Sequence, residues 1–231
     1  MNRALVAALA LLLPSALCAP ARGQSSTSGP RRRLDPFVAG NVAAPRGALE
    51  LTTEAAFTQP LGAMSARSAI SDHVGPGVEL GLGVGYRAVP AWSVFVGALA
   101  HDSDAGSAGG GSAKGVATLV GATWHALPYE LVDPAVTIAT GYRALWCHDA
   151  AGRALAARQG PELARVQMGL ELRVSRGFAF TPFAALDTEL LAWGPDGSGA
   201  SGSASGAVSV FISAGLLGRL DVGGARVHRP R

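Results

Sequence analysis

The chain has 231 residues, of which 48% are hydrophobic and only 15% are charged, and it contains 31 glycines. This composition is too apolar for a disordered protein, and the length favours one compact domain over several large ones. The 19 basic residues include a single lysine, Lys114, whereas a soluble domain of this size uses many lysines to keep its surface hydrated.

Residues 1–23 have the features of a secretory signal peptide. A basic residue opens the segment, Ala4–Leu13 form an apolar run that is too short to span a bilayer, and small residues follow. We expect cleavage after Gly23, with a position near Ala19 as the alternative. Cleavage would remove Cys18 and leave Cys147 as the remaining thiol, so no intramolecular disulfide is expected in the mature protein.

Basic residues are concentrated at the two ends of the expected mature chain. Residues 24–46, predicted to be a linker, and residues 223–231, predicted to be a basic tail, each have a formal charge of +3. The intervening residues 47–222 hold ten Lys or Arg and fifteen Asp or Glu, a charge of −5. Nucleic-acid-binding proteins place basic residues on the folded domain among stacking aromatics, so no nucleic-acid partner is expected.

The central segment alternates apolar and polar residues with a period of two, which indicates β-strands with two different faces. The alternation is clearest at 78–87 and 164–174. Weaker alternation predicts further strands at about 48–58, 91–101, 115–125, 135–146, 178–191 and 208–221. The sequence therefore predicts eight strands, each close to or above the roughly 9 to 11 residues that cross a bilayer at a tilt.

The predicted connections alternate in length. Three of them are short or intermediate, at 88–90, 126–134 and 175–177, and four are long, at 59–77, 102–114, 147–163 and 192–207. Barrels of outer membranes have short periplasmic turns and longer extracellular loops. The fold class predicted from the sequence is accordingly all-β, an eight-stranded antiparallel up-and-down transmembrane β-barrel. Pro182 within the seventh strand predicts a bulge or a register slip, because proline cannot donate a ladder hydrogen bond.

The polar faces of the strands are expected to line the lumen. A soluble lipocalin-like barrel, with its apolar face inside, is the main structural alternative, but a charged, glycine-rich face is a poor exterior for a lysine-poor protein. Six acids and five bases are expected to point inward, a near balance that predicts ion pairing: Glu50, Glu54, Glu79, Glu171, Asp187 and Glu189 against Arg87, Arg143, Arg165, Arg173 and Arg219.

Two pairings follow from the strand register. A hairpin closed at 175–177 places Arg165 opposite Asp187, and the closing seam brings Arg219 close to Glu50. The inward glycines leave room for arginines from opposite walls, so the lumen is expected to be mostly filled.

Aromatic side chains are expected to form belts at the two membrane interfaces. One belt, at the rim where the first strand begins, comprises Tyr86, Trp92, Trp124, Tyr129 and Phe178. The belt at the other rim comprises Phe57, Tyr142, Trp146 and Trp193.

Through its signal peptide, dyad repeats and loop alternation, the chain resembles the small eight-stranded outer-membrane barrels of the OmpA/OmpX type over about residues 47–222. The resemblance implies a Gram-negative outer membrane, a surrounding of outer-membrane lipid, insertion by the barrel-assembly machinery and a periplasmic position for the 24–46 linker. One feature departs from the family: such barrels commonly finish on an aromatic residue, whereas this chain continues from Val222 through GGARVHRPR.

Candidates for chemistry are few. His101-Asp102-Ser103-Asp104 and Cys147-His148-Asp149 stand where loops are expected and are the candidates for a metal or hydrolytic site at the extracellular mouth, but neither has a spacing that orients ligands. His101 and Ser103 are also the candidate pair for a lipid-modifying enzyme. We expect instead solvated loop residues, and we assign no catalytic residue, cofactor or metal.

The function predicted from the sequence is a non-enzymatic outer-membrane barrel with a structural or surface-interaction role and at most a narrow pore, its extracellular loop ligand unknown. The alternatives are passive transport of small or apolar molecules, a soluble lipocalin-like ligand binder and an outer-membrane lipid-modifying enzyme.

Overall fold

The computed structural model describes residues 43–65, 68–107, 111–175, 177–192, 194 and 206–225. In these ranges a short 3₁₀ helix spans Ile70–Asp72, and the strands are β1 (Arg46–Ser65), β2 (Ser68–Ala69), β3 (Val74–Val89), β4 (Trp92–Ala105), β5 (Gly111–His125), β6 (Val132–Asp149), β7 (Ala154–Arg173), β8 (Phe178–Leu191) and β9 (Ala207–Ala225). Within the same ranges, no helix has both the length and the apolar character needed to cross a membrane. The predicted signal peptide and most of the predicted linker lie outside the described residues.

The long strands form one closed antiparallel ring. Each pairs with the next along the chain from β3 to β9, β1 pairs with β3, and β9 pairs back to β1, while the two-residue β2 only extends the β1 edge. The prediction of an eight-stranded up-and-down barrel is confirmed. We call the rim at which β1 begins the proximal rim and the rim at which it ends the distal rim.

The strands are strongly tilted. A walk around the ring along paired residues starts at Leu49 and returns to β1 at Gln59, ten residues further on; it passes through Tyr86, Val94, Ala122, Ile138, Val166, Leu186 and Ile212. A stagger of ten residues over eight strands corresponds to a tilt of about 40°. The barrel is therefore narrow, and side chains can fill it.

The strands extend further toward the distal rim than the alternation predicts. Connections predicted as long, at 59–77, 102–114 and 147–163, are reduced because β1 reaches Ser65, β4 reaches Ala105 and β7 begins at Ala154. Near the distal ends of the strands the outward positions become polar, so the alternation of apolar and polar residues is lost. The hydrogen-bonded ladder nevertheless continues there. At the other end of the chain, β9 reaches Ala225, three residues into the segment predicted to be a tail.

Pro182 does not shift the register. The pairs Gly169–Phe183 and Leu172–Phe180 on either side of it keep one register between β7 and β8, and Pro182 itself pairs with Leu216 on β9. The expected slip or bulge lies elsewhere: the register changes between Glu162 and Ala164 on β7.

Apolar side chains cover the outside of the barrel wall. Leu82 is 70% exposed, and Ile138 and Met168 are each 62% exposed, whereas the charged residues between the outward positions are buried. Such a surface suits lipid and not water. The soluble lipocalin-like alternative is therefore wrong, because the polarity of this barrel is the reverse of a soluble one.

Candidate functional site

The lumen is occupied by side chains in layers. All eleven charged residues predicted to face inward do so; Glu54 is half-buried and the others are buried. They form two clusters, one near each rim, which we call the proximal cluster and the distal cluster. Apolar side chains pack above the distal cluster.

The proximal cluster connects four strands, β1, β3, β7 and β9, around Glu50 and Glu171. Arg87 donates to Glu50 at 2.6 Å and Arg219 donates to the same carboxylate at 3.1 Å, across the β1–β9 seam. Glu171 also pairs with Arg219 and with Arg173, the latter at 2.7 Å. The expected approach of Arg219 to Glu50 is thus present, within a larger network.

The distal cluster is built around Arg143 and Arg165. Arg165 donates to Asp187 at 3.1 Å, as its position opposite that residue predicts, and to Glu54 at 2.7 Å. Arg143 lies against four carboxylates: those of Glu79 at 3.2 Å, Asp187 at 3.4 Å, Glu162 at 3.5 Å, and Glu189.

Sequence reasoning missed four charged lumen residues, Asp133, Glu162, Asp221 and Arg158, and one histidine, His125. A bulge at Leu163 reverses the alternation on β7, so Glu162 and Arg158 turn inward where strict alternation would place them outside. Asp133 lies in a segment assigned to a turn, although it is the second residue of β6.

The expected charge balance changes accordingly. Among the described residues the buried or half-buried lumen holds nine acids, Glu50, Glu54, Glu79, Asp133, Glu162, Glu171, Asp187, Glu189 and Asp221, against six arginines, Arg87, Arg143, Arg158, Arg165, Arg173 and Arg219. The near balance predicted from six acids and five bases is therefore wrong, because the three missed acids outnumber the one missed arginine.

An apolar plug fills the lumen beyond the distal cluster. It comprises Met64, Ile70, Val74, Ala113, Leu145, Cys147, Leu191 and Phe211. The ring of Phe211 lies under the guanidinium of Arg143, whose Cζ is 4.9 Å from the ring centroid. Cys147, expected to be a solvated loop residue, is buried in this plug because it takes an inward position on β6.

A small chamber separates the two clusters. It has a volume of about 70 Å³ and is lined by apolar side chains and by polar groups such as those of Thr52, Ser93, Thr137 and Gln167, with Arg219 on one side and Arg165 on the other. At roughly 10 to 15 Å³ for one water, this volume corresponds to about five waters.

The outward aromatic residues lie toward both rims. Trp92 and Trp124 are direct cross-strand partners near the proximal rim, where Tyr86 and Phe178 are also exposed and Tyr129 is half-buried in the turn between β5 and β6. Phe57, Tyr142 and Trp146 are exposed on the distal half of the wall. Trp193 lies outside the described residues.

The histidine and serine considered for lipid chemistry lie inside the barrel. His101 and Ser103 are buried, inward-facing residues of β4, and the edge of the His101 ring packs on Phe211 with centroids 5.7 Å apart. Asp102 and Asp104 point to the opposite face of the same strand. The expectation of solvated loop residues is wrong for this pair, because the strand continues through it.

Asp149 organises a turn. Its Oδ1 accepts hydrogen bonds from the backbone N–H groups of Ala151 and Arg153, at 2.9 and 2.8 Å, and its Oδ2 accepts one from Nε of Arg153 at 2.8 Å. These bonds lower the pKa of the Asp149 carboxyl. Because neighbouring Cys147 points into the plug, the three residues Cys147, His148 and Asp149 do not converge.

One group of residues in the described ranges could offer three metal ligands. His125, Asp133 and Glu171 have ligand atoms within 4.8 Å of one another. However, Nε2 of His125 lies 3.1 Å from Arg87 and 3.3 Å from Arg219, and its Nδ1 lies 2.9 Å from Asp133. Two guanidinium groups this close oppose a bound cation, so the group belongs to the ion-pair network.

The barrel is similar to solved structures of small outer-membrane barrels. Neisserial surface protein A has a TM-score of 0.51 at 13% identity, over 74% of this chain and 98% of that protein. The outer membrane protein OprG from Pseudomonas aeruginosa also has a TM-score of 0.51, at 12% identity, over 78% of this chain and 99% of that one. No protein-family model and no curated protein matches the sequence. At these identities the similarity shows the fold: this chain is a small outer-membrane-type β-barrel.

Proposed function

We propose that the protein is a non-enzymatic barrel of a Gram-negative outer membrane with a structural or surface-interaction role and a lumen closed to solutes. The observation that carries this proposal is the layered lumen: the proximal cluster, the distal cluster and the apolar plug obstruct it in succession. An eight-stranded barrel is about wide enough for side chains to fill. Bulk diffusion through it is therefore not expected.

The apolar exterior and the aromatic residues toward both rims support a position in outer-membrane lipid. On this proposal residues 1–23 are a cleaved export signal, the barrel-assembly machinery inserts the chain, and the proximal rim faces the periplasm. The distal rim then faces the outside, where the connections of the barrel are available to a partner.

Insertion is tested by heat-modifiability. The mature protein, refolded with and without detergent, is run boiled and unboiled on SDS gels. A form that depends on detergent and resists SDS until it is boiled supports the membrane barrel. A monodisperse fold in the absence of detergent contradicts it.

Closure is tested by solute flux into liposomes that contain the refolded protein. We expect flux of small sugars and ions no greater than in protein-free liposomes. The comparison is the flux through Arg143→Ala, a variant that lacks the centre of the distal cluster and therefore has a wider lumen. Flux through the wild type that is abolished by blocking the distal mouth would instead establish the transport alternative.

The enzyme alternative has a direct test. Lipid modification by His101 requires a lipid chain to enter the barrel, since the ring is buried on the lumen side. We expect the lipid composition of membranes that contain the protein to be the same for the wild type and for His101→Ala. Lipid modification that is lost in His101→Ala would overturn the proposal.

A further inference from the structure

The distal cluster contains more acids than cations. Five carboxyl groups, those of Glu54 on β1, Glu79 on β3, Glu162 on β7, and Asp187 and Glu189 on β8, share the layer with two arginines, Arg143 and Arg165. With every one of these groups ionised the layer would carry three negative charges in excess. Buried charge without compensation is strongly unfavourable.

The hydrogen bonds from Arg143 and Arg165 go to three of the five acids. Arg165 donates to Glu54 and Asp187, and Nη2 of Arg143 donates to Glu79 and Asp187. Glu162 lies 3.5 Å from the same Nη2 without a hydrogen bond, and Glu189 contacts Nε of Arg143. Both carboxylate oxygens of Glu162 and both of Glu189 accept no hydrogen bond from any described residue.

Glu162 and Glu189 are also direct neighbours. They are Cα partners across β7 and β8, and both are fully buried. Directly opposed side chains on one face have Cβ atoms about 4.5 to 5.5 Å apart, and like charges in that position are destabilising. The bulge at Leu163 creates this contact, because it turns Glu162 into the lumen.

We propose that Glu162 and Glu189 form a proton-binding site of the folded barrel, in which one carboxyl holds a proton taken from solvent and donates it to the other carboxylate. The pair then carries a single negative charge, which faces the single positive charge of Arg143. The uptake is balanced: one carboxylate and one proton give one neutral carboxyl, and no other group changes.

The surroundings favour a proton over a metal ion. Among the described residues, no three metal-ligating groups converge at this pair, and the guanidinium of Arg143 already contacts both carboxylates. The other charged or titratable groups of the layer are Glu79, His101 opposite it on β4, Glu54, Asp187 and Arg165, and Arg158 is a further buried arginine of β7. The ring nitrogens of His101 neither donate nor accept a hydrogen bond among the described residues. His101 therefore does not compensate the charge of Glu162 and Glu189 by direct contact.

The test is the infrared carbonyl band of a protonated carboxylic acid, recorded on the detergent-refolded mature protein at pH 7.5, where free glutamate is ionised. We expect this band in the wild type and its loss in Glu162→Gln and in Glu189→Gln. Glu171→Gln is the matched control: Glu171 is equally buried but contacts Arg173 and Arg219, so the band should remain. If the wild-type protein lacks this band, that spectrum alone overturns the proposal, and no variant is needed.

A second measurement distinguishes a proton from a metal ion. Between about pH 7.5 and 9, above the titration of ordinary histidine, the folded state would hold a proton that the unfolded state has released. Wild-type stability should therefore fall as the pH rises, and the fall should be smaller in Glu189→Gln. A stability that instead depends on whether sodium, potassium or magnesium is present, with no carbonyl band, would assign the site to a cation and overturn the proposal.

Discussion

Nη1 of Arg165 lies 3.1 Å from Oδ2 of Asp187, and the two residues are Cα partners on β7 and β8. The second nitrogen of the same guanidinium donates to Glu54 on β1 at 2.7 Å. One arginine thus connects two adjacent strands with the opposite wall of the barrel. Such cross-lumen contacts hold the interior in one arrangement and close the path through it.

Replacement of Arg165 by Met should lower the free energy of unfolding by about 3 to 5 kcal/mol, because it leaves half-buried Glu54 without its cation and leaves buried Asp187 with only the longer contact to Arg143. Reversible urea unfolding in detergent or lipid, followed by tryptophan fluorescence, measures the change. Arg153→Met is the control: Arg153 also pairs with an aspartate, but its side chain is 82% exposed, so no change is expected. Equal losses in both variants would contradict the role of burial.

Leu82 is the most exposed large apolar side chain among the described residues and lies mid-wall on β3. Leu82→Arg should destabilise the membrane-inserted barrel by about 2 to 4 kcal/mol, because it places a charge against the lipid interior. Val222→Arg, close to the proximal rim, should cost about 0 to 1 kcal/mol. Folding into lipid vesicles at a series of urea concentrations checks both values, and an unaffected Leu82→Arg would refute the orientation of the wall.

Gly141 permits close approach of β5 and β6. A Cβ at this position would lie 1.8 Å from the backbone oxygen of Thr118, whereas a Cβ at Gly218 would meet nothing nearer than 3.6 Å. Gly141→Ala should therefore cost about 1 to 3 kcal/mol or more through overpacking, and Gly218→Ala should be tolerated. The fraction of SDS-resistant, unboiled protein reports the difference; a Gly141→Ala barrel as resistant as the wild type would contradict the packing.

Phe211 is fully buried at the junction of the plug and the distal cluster. Phe211→Ala should reduce the free energy of unfolding by about 3 to 5 kcal/mol, since it removes both the apolar contacts and the ring beneath Arg143. Ile212→Ala, the next residue on the lipid-facing side, is the comparison and should have a smaller effect because lipid fills the space. Chemical unfolding of both variants in the same detergent is the appropriate measurement.

Strand alternation was sufficient to predict the barrel and the orientation of its wall. A period of two places Leu82 outside and Arg87 inside whatever the neighbours are, since successive side chains of a strand point to opposite faces. The position of the short turn at 175–177 places Arg165 opposite Asp187, because a short turn sets the register of a hairpin. Eight strands and the antiparallel order follow from local pattern alone.

The tertiary structure decided what local pattern does not contain. The bulge at Leu163 reverses the faces of β7 and brings Glu162 beside Glu189, and a bulge depends on how two neighbouring strands pair and not on the strand's own alternation. His101, Ser103 and Cys147 became interior residues because the ladder extends past the apolar band toward the distal rim. The composition of the lumen, with its acid surplus and its apolar plug, therefore depends on closure of the ring, which brings side chains from distant strands into one small volume.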